Sequence, residues 1–282
     1  MSNPNPAPSE GRRSPQARSA EVLRVERVTP HLIRVVLGGP GLAGFPAGQY
    51  ADHYIKMLFP RPGVAYPEPF DIARIRAEFP RSEQPVVRTY TVRRWDAETG
   101  ELTVDVVYHG AEGVAGPWAY AVQPGAVVHF MGPGGAYAPD PAAAWHLFAG
   151  DESALPAIAA SLEMLPPGAH AYAFVEVADP AEEQALKSAG AVTLTWLHRT
   201  GRVGDALMAA LRDFTFPDGD GDAFVHGEAG FVKEARRLLL VERAMPRERV
   251  SISGYWRLGQ DEDGWQSTKR DFNQQMEAEH GL

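Results

Sequence analysis

The stretch VVRTYTVRRWD, Val86 to Asp96, places Arg88, Thr89, Tyr90 and Thr91 in succession inside a β-branched run. Arg88 brings a permanent cation suited to a pyrophosphate. Tyr90 brings a ring that can lie against a flat heteroaromatic system, and Thr91 a hydroxyl for that system's polar edge. On a strand these are the fittings of a flavin cradle; an exposed strand is the plainer reading. Downstream, VVYHGAEGVAGPWA carries His109, Gly110, Gly113 and Gly116 in a turn leading to a short helical stretch. Such a turn presents backbone N–H groups to a phosphate, or is an ordinary glycine-rich hairpin loop. Other chemistries are excluded or unsupported. With no cysteine, disulfides, thiolate metal sites, iron–sulfur clusters and cysteine nucleophiles are ruled out, and the nine histidines lack a metal-ligand spacing such as HExxH. No metal site and no catalytic side chain is expected.

Two kinds of element must position these residues. From Val22 to about Tyr137 the apolar residues fall in short period-2 or β-branched runs, VLRVERVTPHLIRVVL, YADHYIKMLF, VVRTYTVRRW, LTVDVVYH and AVVHFMG, with Gly and Pro in nearly every gap. That pattern predicts an antiparallel β-barrel, with the long stretch before VVRTYT as an excursion carrying a short helix. After APDPAAA, strand-like WHLFAG, AYAFVEVAD, VTLTWLHRT, AFVHGEAG and VSISGYW alternate with helical ESALPAIAASLEML, PAEEQALKSAG, VGDALMAALRDF and FVKEARRLLLVERAM. This alternation predicts a doubly wound parallel sheet. The chain is 282 residues long and 44% hydrophobic, enough for two domains. The expected division is a disordered leader over 1–19, a barrel domain over 20–140 and an α/β domain over 141–282 ending in a polar helical segment.

Open α/β sheets bind ligands at the carboxyl ends of their strands. There the sequence puts Gly150, Asp151, Glu152 and Ala154, then Glu176 and Arg199 for an adenine ribose, then Gly227, Glu228 and Ala229. No GxGxxG is present. Each acidic residue has the alternative of capping a helix N-terminus, and Arg199 that of a surface charge. The balance of 27 Lys+Arg against 36 Asp+Glu, net −9, disfavours a general nucleic-acid or anionic-membrane role, so an anionic ligand needs a local basic patch. No apolar signal-type run and no membrane-length window occurs, so a cytoplasmic protein without membrane insertion, and a monomer, are expected.

Taken in order, DHYIKMLFP, RTYT, the glycine turn, GPGGAY, GDESALPAI and GYWRLG resemble the siderophore-interacting protein family, FAD-dependent ferric-siderophore reductases of the ferredoxin reductase-like superfamily. The resemblance runs from about Ala20 to Gln266. It implies FAD held by Arg88, Tyr90 and Thr91 and by the phosphate loop at His109, Gly110, Gly113 and Gly116. Where many members have Pro-Ala-Ser, this chain has Val114, Ala115 and Gly116, so a hydroxyl contact to the pyrophosphate is absent and backbone N–H groups must serve. The resemblance further implies Lys56 and Lys269 at the pocket for an anionic ferric siderophore, and Tyr255 and Trp256 over the flavin's other face. Arg199 and Arg202 lie beside the ribose position, which favours NADPH; NADH or a reduced ferredoxin remain open as donors. A nicotinamide yields two electrons as hydride and Fe(III) takes one, so the implied activity passes electrons from NAD(P)H through FAD to siderophore-bound Fe(III), releasing Fe(II). The rivals are a general NAD(P)H:flavin or ferredoxin-type reductase and a non-catalytic siderophore carrier.

Overall fold

The structure, a computed structural model, describes residues 17–280. The expected leader lies mostly outside the described residues; its last two, Arg18 and Ser19, instead open the first strand because they pair with Phe130 and His129. Six strands close an antiparallel barrel: β1 (Arg18–Thr29), β2 (Leu32–Gly38), β3 (Tyr54–Phe59), β4 (Val86–Asp96), β5 (Glu101–Val107) and β6 (Val127–Gly134), in the order β1-β2-β5-β4-β3-β6. The period-2 pattern is the cause. In β3, Ile55, Met57 and Phe59 point inward to meet Val35, Leu37, Val104 and Phe130, while Tyr54, Lys56 and Leu58 take the other face. The excursion between β3 and β4 carries α1 (Ile72–Glu78), capped by Asp71, whose carboxylate accepts the N–H groups of Ala73 and Arg74. Between β5 and β6 lies α2 (Ala115–Ala121).

The second half is a five-stranded parallel sheet of β7 (Trp145–Gly150), β8 (His170–Val177), β9 (Ala191–His198), β10 (Gly221–Glu228) and β11 (Val250–Trp256), ordered β11-β10-β7-β8-β9. Helices α3 (Leu155–Met164), α4 (Asp205–Asp213) and α5 (Ala229–Arg237) cross over between strands. Alternate residues of β7 show the two-sided winding: Leu147 joins Leu207, Leu211 and Val232 on one face, and Phe148 joins Leu155, Ile158 and Leu162 on the other.

One expected helix does not form. PAEEQALKSAG has good helix propensity, but only Pro180–Glu182 makes a single 3-10 turn. Glu182 is buried against the barrel, where its carboxylate accepts the Thr29 hydroxyl at 2.5 Å and meets His31 Nδ1 at 2.6 Å. Those tertiary bonds outweigh a local preference of a few tenths of a kcal/mol per residue. The last described element is α6 (Glu262–His280), anchored by fully buried Trp265, whose ring lies over Gly254 of β11. Among the described residues no helix is long and apolar enough to cross a membrane.

Candidate functional site

The barrel closes incompletely along β4. Residues 86–91 pair with β3, Val86 opposite Phe59 and Thr91 opposite Tyr54, but β5 pairs with β4 only from Val92 onward. The first half of β4 therefore has one edge with no strand against it. The register puts Arg88 and Tyr90 on the face of Met57 and Ile55, and Thr89 and Thr91 on the face of Lys56 and Tyr54. A flat ligand against that edge can be reached from both faces. Arg88 Nη1 folds back to donate to the Val87 carbonyl at 2.7 Å and stands 3.5 Å from Asp263 Oδ2. The Tyr90 ring packs against the barrel core, and burial raises its phenol well above the ordinary value. The Thr89 N–H and hydroxyl both donate to Glu262, at 3.1 and 2.7 Å.

The glycine turn follows β5. Gly110 and Gly113 have φ of +72° and +78°, and a Cβ at either would meet nothing within 4 Å, so the backbone conformation and not crowding requires glycine there. At Gly116 a Cβ would stand 3.3 Å from the Val107 carbonyl, so the family's serine cannot be restored here without a shift. Burial lowers the pKa of His109, and the nearby charges of His31 and Arg199 add to it. The donor set of cation, packed ring, hydroxyl, open strand edge and glycine turn fits a flavin dinucleotide.

The carboxyl ends of the parallel strands are strongly knotted. A Cβ on Gly150 would lie 2.5 Å from the His226 carbonyl and 2.6 Å from the Ala154 Cβ, so only glycine lets β10 and the start of α3 close on β7 there. Asp151 is wholly buried. Its Oδ1 accepts the Ser153 N–H and hydroxyl, and its Oδ2 accepts the Glu228 N–H at 2.7 Å and the Trp256 indole N–H at 2.9 Å. Burial raises its pKa, with the donors from Ser153 and Trp256 opposing. Glu228 caps α5 by accepting from Gly230 and Phe231, and its other oxygen accepts the Leu258 N–H. Ala229, buried at the start of α5, packs on Gly254.

Glu176, also wholly buried, accepts from Arg199 Nε at 3.0 Å and from the Gly204 N–H with both oxygens at 3.1 Å. Arg199 Nη2 donates to Glu152 at 2.6 Å. Burial works against the Arg199 charge, but its two carboxylates more than offset it and its pKa rises; Glu152, with one partner, is still pushed up by burial. Arg202 is exposed and paired to Asp205 and Glu234 at 3.3 Å each. A crevice of about 200 Å³ lies beside Arg202, Glu228, Gly230, Arg257 and Leu258.

The two halves meet where α3 packs on β4. Tyr255 lies beside Thr91, edge-on to the buried His226 ring at 4.9 Å, and burial raises its phenol strongly. Lys56, opposite Thr89 across β3 and β4, acts electrostatically on Lys269, whose Nζ lies 5.9 Å from the Trp265 ring centroid. The structure thus gathers Lys56, Arg88, Thr89, Tyr90, Thr91, Tyr255 and Lys269 into one neighbourhood. Asp151, Glu228 and Trp256 form a second knot, and Glu152, Glu176 and Arg199 a third. Glu262 and Asp263, which the sequence reading did not select, bridge the barrel to α6; an acidic pair opening a helix was the only local signal. A larger crevice of about 800 Å³ between the barrel and the β8–β9 connection includes none of these residues, and its arginines are paired to carboxylates, as in Arg34–Asp105 and Arg93–Glu163.

Comparison with known proteins gives two adjacent family matches: residues 21–137 to the siderophore-interacting FAD-binding domain and residues 143–259 to siderophore-interacting protein. The chain is 34% identical to the ferric vibriobactin reductase ViuB of Vibrio cholerae, over 88% of this chain and 92% of that one. It is 32% identical to the NADPH-dependent ferric-chelate reductase of Escherichia coli, over 91% and 99%. The crystal structure of the siderophore-interacting protein SipS from Aeromonas hydrophila superimposes with a TM-score of 0.78 at 30% identity, covering 92% of this chain and 99% of that one.

Proposed function

We propose, from the premise that this chain belongs to the siderophore-interacting protein family, that it is an FAD-dependent oxidoreductase that takes electrons from NADPH and reduces siderophore-bound Fe(III). The observation that carries this reading is the open edge of β4, with Arg88, Tyr90 and Thr91 on it and Lys56, Lys269 and Tyr255 around it. Arg88 holds the pyrophosphate, the backbone N–H groups around Gly110 to Gly116 support it, Tyr90 lies against the ring system, and Thr91 and Tyr255 close its edge. When bound, FAD converts the two electrons of one hydride into single-electron steps, so one NADPH reduces two ferric centres and leaves NADP⁺ and one proton.

The protein's part in the metal step is electrostatic. Catecholate and hydroxamate oxygens favour the higher charge of Fe(III), so reduction alone loosens the chelate and no bond of the chelator need be cut. Lys56 and Lys269 attract the anionic chelate to the flavin. For the donor, Arg199 is held between two carboxylates and largely shielded, whereas Arg202, though also paired to Asp205 and Glu234, is exposed and lines the crevice with Arg257, where the two can exchange those partners for a 2′-phosphate. The name of the Escherichia coli relative supports NADPH. The two family matches meet between 137 and 143, in keeping with domains over 20–140 and 141–282.

Purified protein should be yellow, with FAD that is released intact on denaturation. Arg88→Ala removes a charge-assisted bond to pyrophosphate worth about 1.5–3 kcal/mol, roughly a ten- to 150-fold rise in the FAD dissociation constant by titration of apoprotein. Wild-type protein that neither retains nor rebinds FAD contradicts the assignment.

A further inference from the structure

The lysine pair does not stand alone. The Glu262 carboxylate is fixed by two donors from Thr89, the N–H and the hydroxyl, and Thr89 is the register partner of Lys56 on the neighbouring strand. Residues directly opposite in an antiparallel pair have Cβ atoms about 5 Å apart and share a face. Lys269 follows Glu262 by two turns of α6, so both lie on one stripe of that helix, and helical side chains lean toward the N-terminus. Trp265, between them and fully buried, holds the stripe in place, and its ring carries Lys269. Lys56 from β3, Glu262 from α6 and Lys269 from α6 therefore converge on one spot beside the flavin strand.

We propose that Glu262 is a positioning residue for chelate binding: its carboxylate ties α6 to β4 at Thr89 and acts as the shared counter-charge that keeps Lys56 and Lys269 side by side. The proposal rests on the reading of those lysines as the anion-binding pair. Two ammonium groups crowded in a half-buried position repel each other, and each loses hydration. The groups acting on Lys269 are Lys56 from β3, Glu262 and the Trp265 ring from α6, and His226 from β10. His226 is held neutral by burial, its pKa pushed down to about 3, so it adds no charge near neutrality. Burial and Lys56 lower the Lys269 pKa, and Glu262 works against both.

The same carboxylate also repels an anionic ligand, and this gives the test a signature that mere structural damage lacks. In Glu262→Gln an acceptor for Thr89 remains but the charge is gone. At the acid end of the profile, where Lys269 is protonated in both proteins, a trianion should bind roughly threefold tighter because a neighbouring negative charge has been removed. Between the Lys269 titration of the variant and that of wild type it should bind more weakly than to wild type, because there only the variant has lost the Lys269 proton. The two profiles cross.

The probe is tris(oxalato)chromate(III), a substitution-inert trianion with all-oxygen ligands and a charge that does not change with pH, titrated into FAD-loaded protein by flavin fluorescence. In parallel, Lys269 is titrated directly by NMR after 13C-methylation, with Lys269→Arg to assign the signal. Expected are crossing profiles, a lower Lys269 titration in Glu262→Gln, and partial recovery of that titration in Glu262→Asp. FAD occupancy reports on folding in each variant. An unchanged Lys269 titration overturns the role of Glu262 alone. A titration that falls while Lys56→Met binds the trianion as well as wild type overturns the assignment of the pair to substrate, and with it the chelate-binding role.

Discussion

At the scale of single residues, the site is built from groups whose partners are far away in the chain, and this decided what could be read beforehand. Arg88, Tyr90 and Thr91 stood out as candidates because a cation, a ring and a hydroxyl on one strand are unusual together. Asp151 was legible as a residue of interest but not in its bonding: its four donors come from Ser153, Glu228 and Trp256, and a Cβ at Gly227 would lie 2.7 Å from its Oδ2. All four are donors, so Asp151→Asn is not a gentle change. Whichever way the amide turns, its NH₂ faces an N–H or O–H. The expected cost is about 1–3 kcal/mol in urea unfolding, with a red shift of Trp256 fluorescence as its indole loses an acceptor. A variant as stable as wild type would mean that the Asp151 knot contributes nothing to the strand ends.

At the scale of elements, period-2 runs against longer helical runs separated barrel from parallel sheet, and Gly and Pro marked the joins. The β8–β9 connection misled because propensity is local, whereas Glu182 answers to Thr29 and His31 on the barrel. The open edge of β4 was illegible for a related reason, since strand register is set by pairing across the sheet. Glu262 and Asp263 were missed because their contacts span more than 170 residues. If Glu182 is what fastens the connection, Glu182→Ala leaves the Thr29 hydroxyl and His31 without their acceptor. It should lower stability by about 1–3 kcal/mol. Hydrogen exchange should quicken first in residues 180–190 and in the β1–β2 turn, and equal exchange in both proteins would show that the segment is held by other contacts.

At the scale of the whole molecule, a barrel with an unpaired strand edge is set against the carboxyl ends of a parallel sheet, with α6 laid across both. In the proposed reading a nicotinamide site and a chelate site share one flavin, and the net charge of −9 matters less there than Lys56 standing beside Lys269. The most direct test is an anaerobic single turnover. Protein whose FAD has first been reduced by one equivalent of NADPH is mixed with a ferric tris-catecholate in the presence of an Fe(II) trap, while flavin absorbance and trapped Fe(II) are followed together. Flavin reoxidation concurrent with two Fe(II) per FAD, slowed in Lys56→Ala and by added salt, is the expected result. Flavin that stays reduced while the ferric chelate persists would contradict the account.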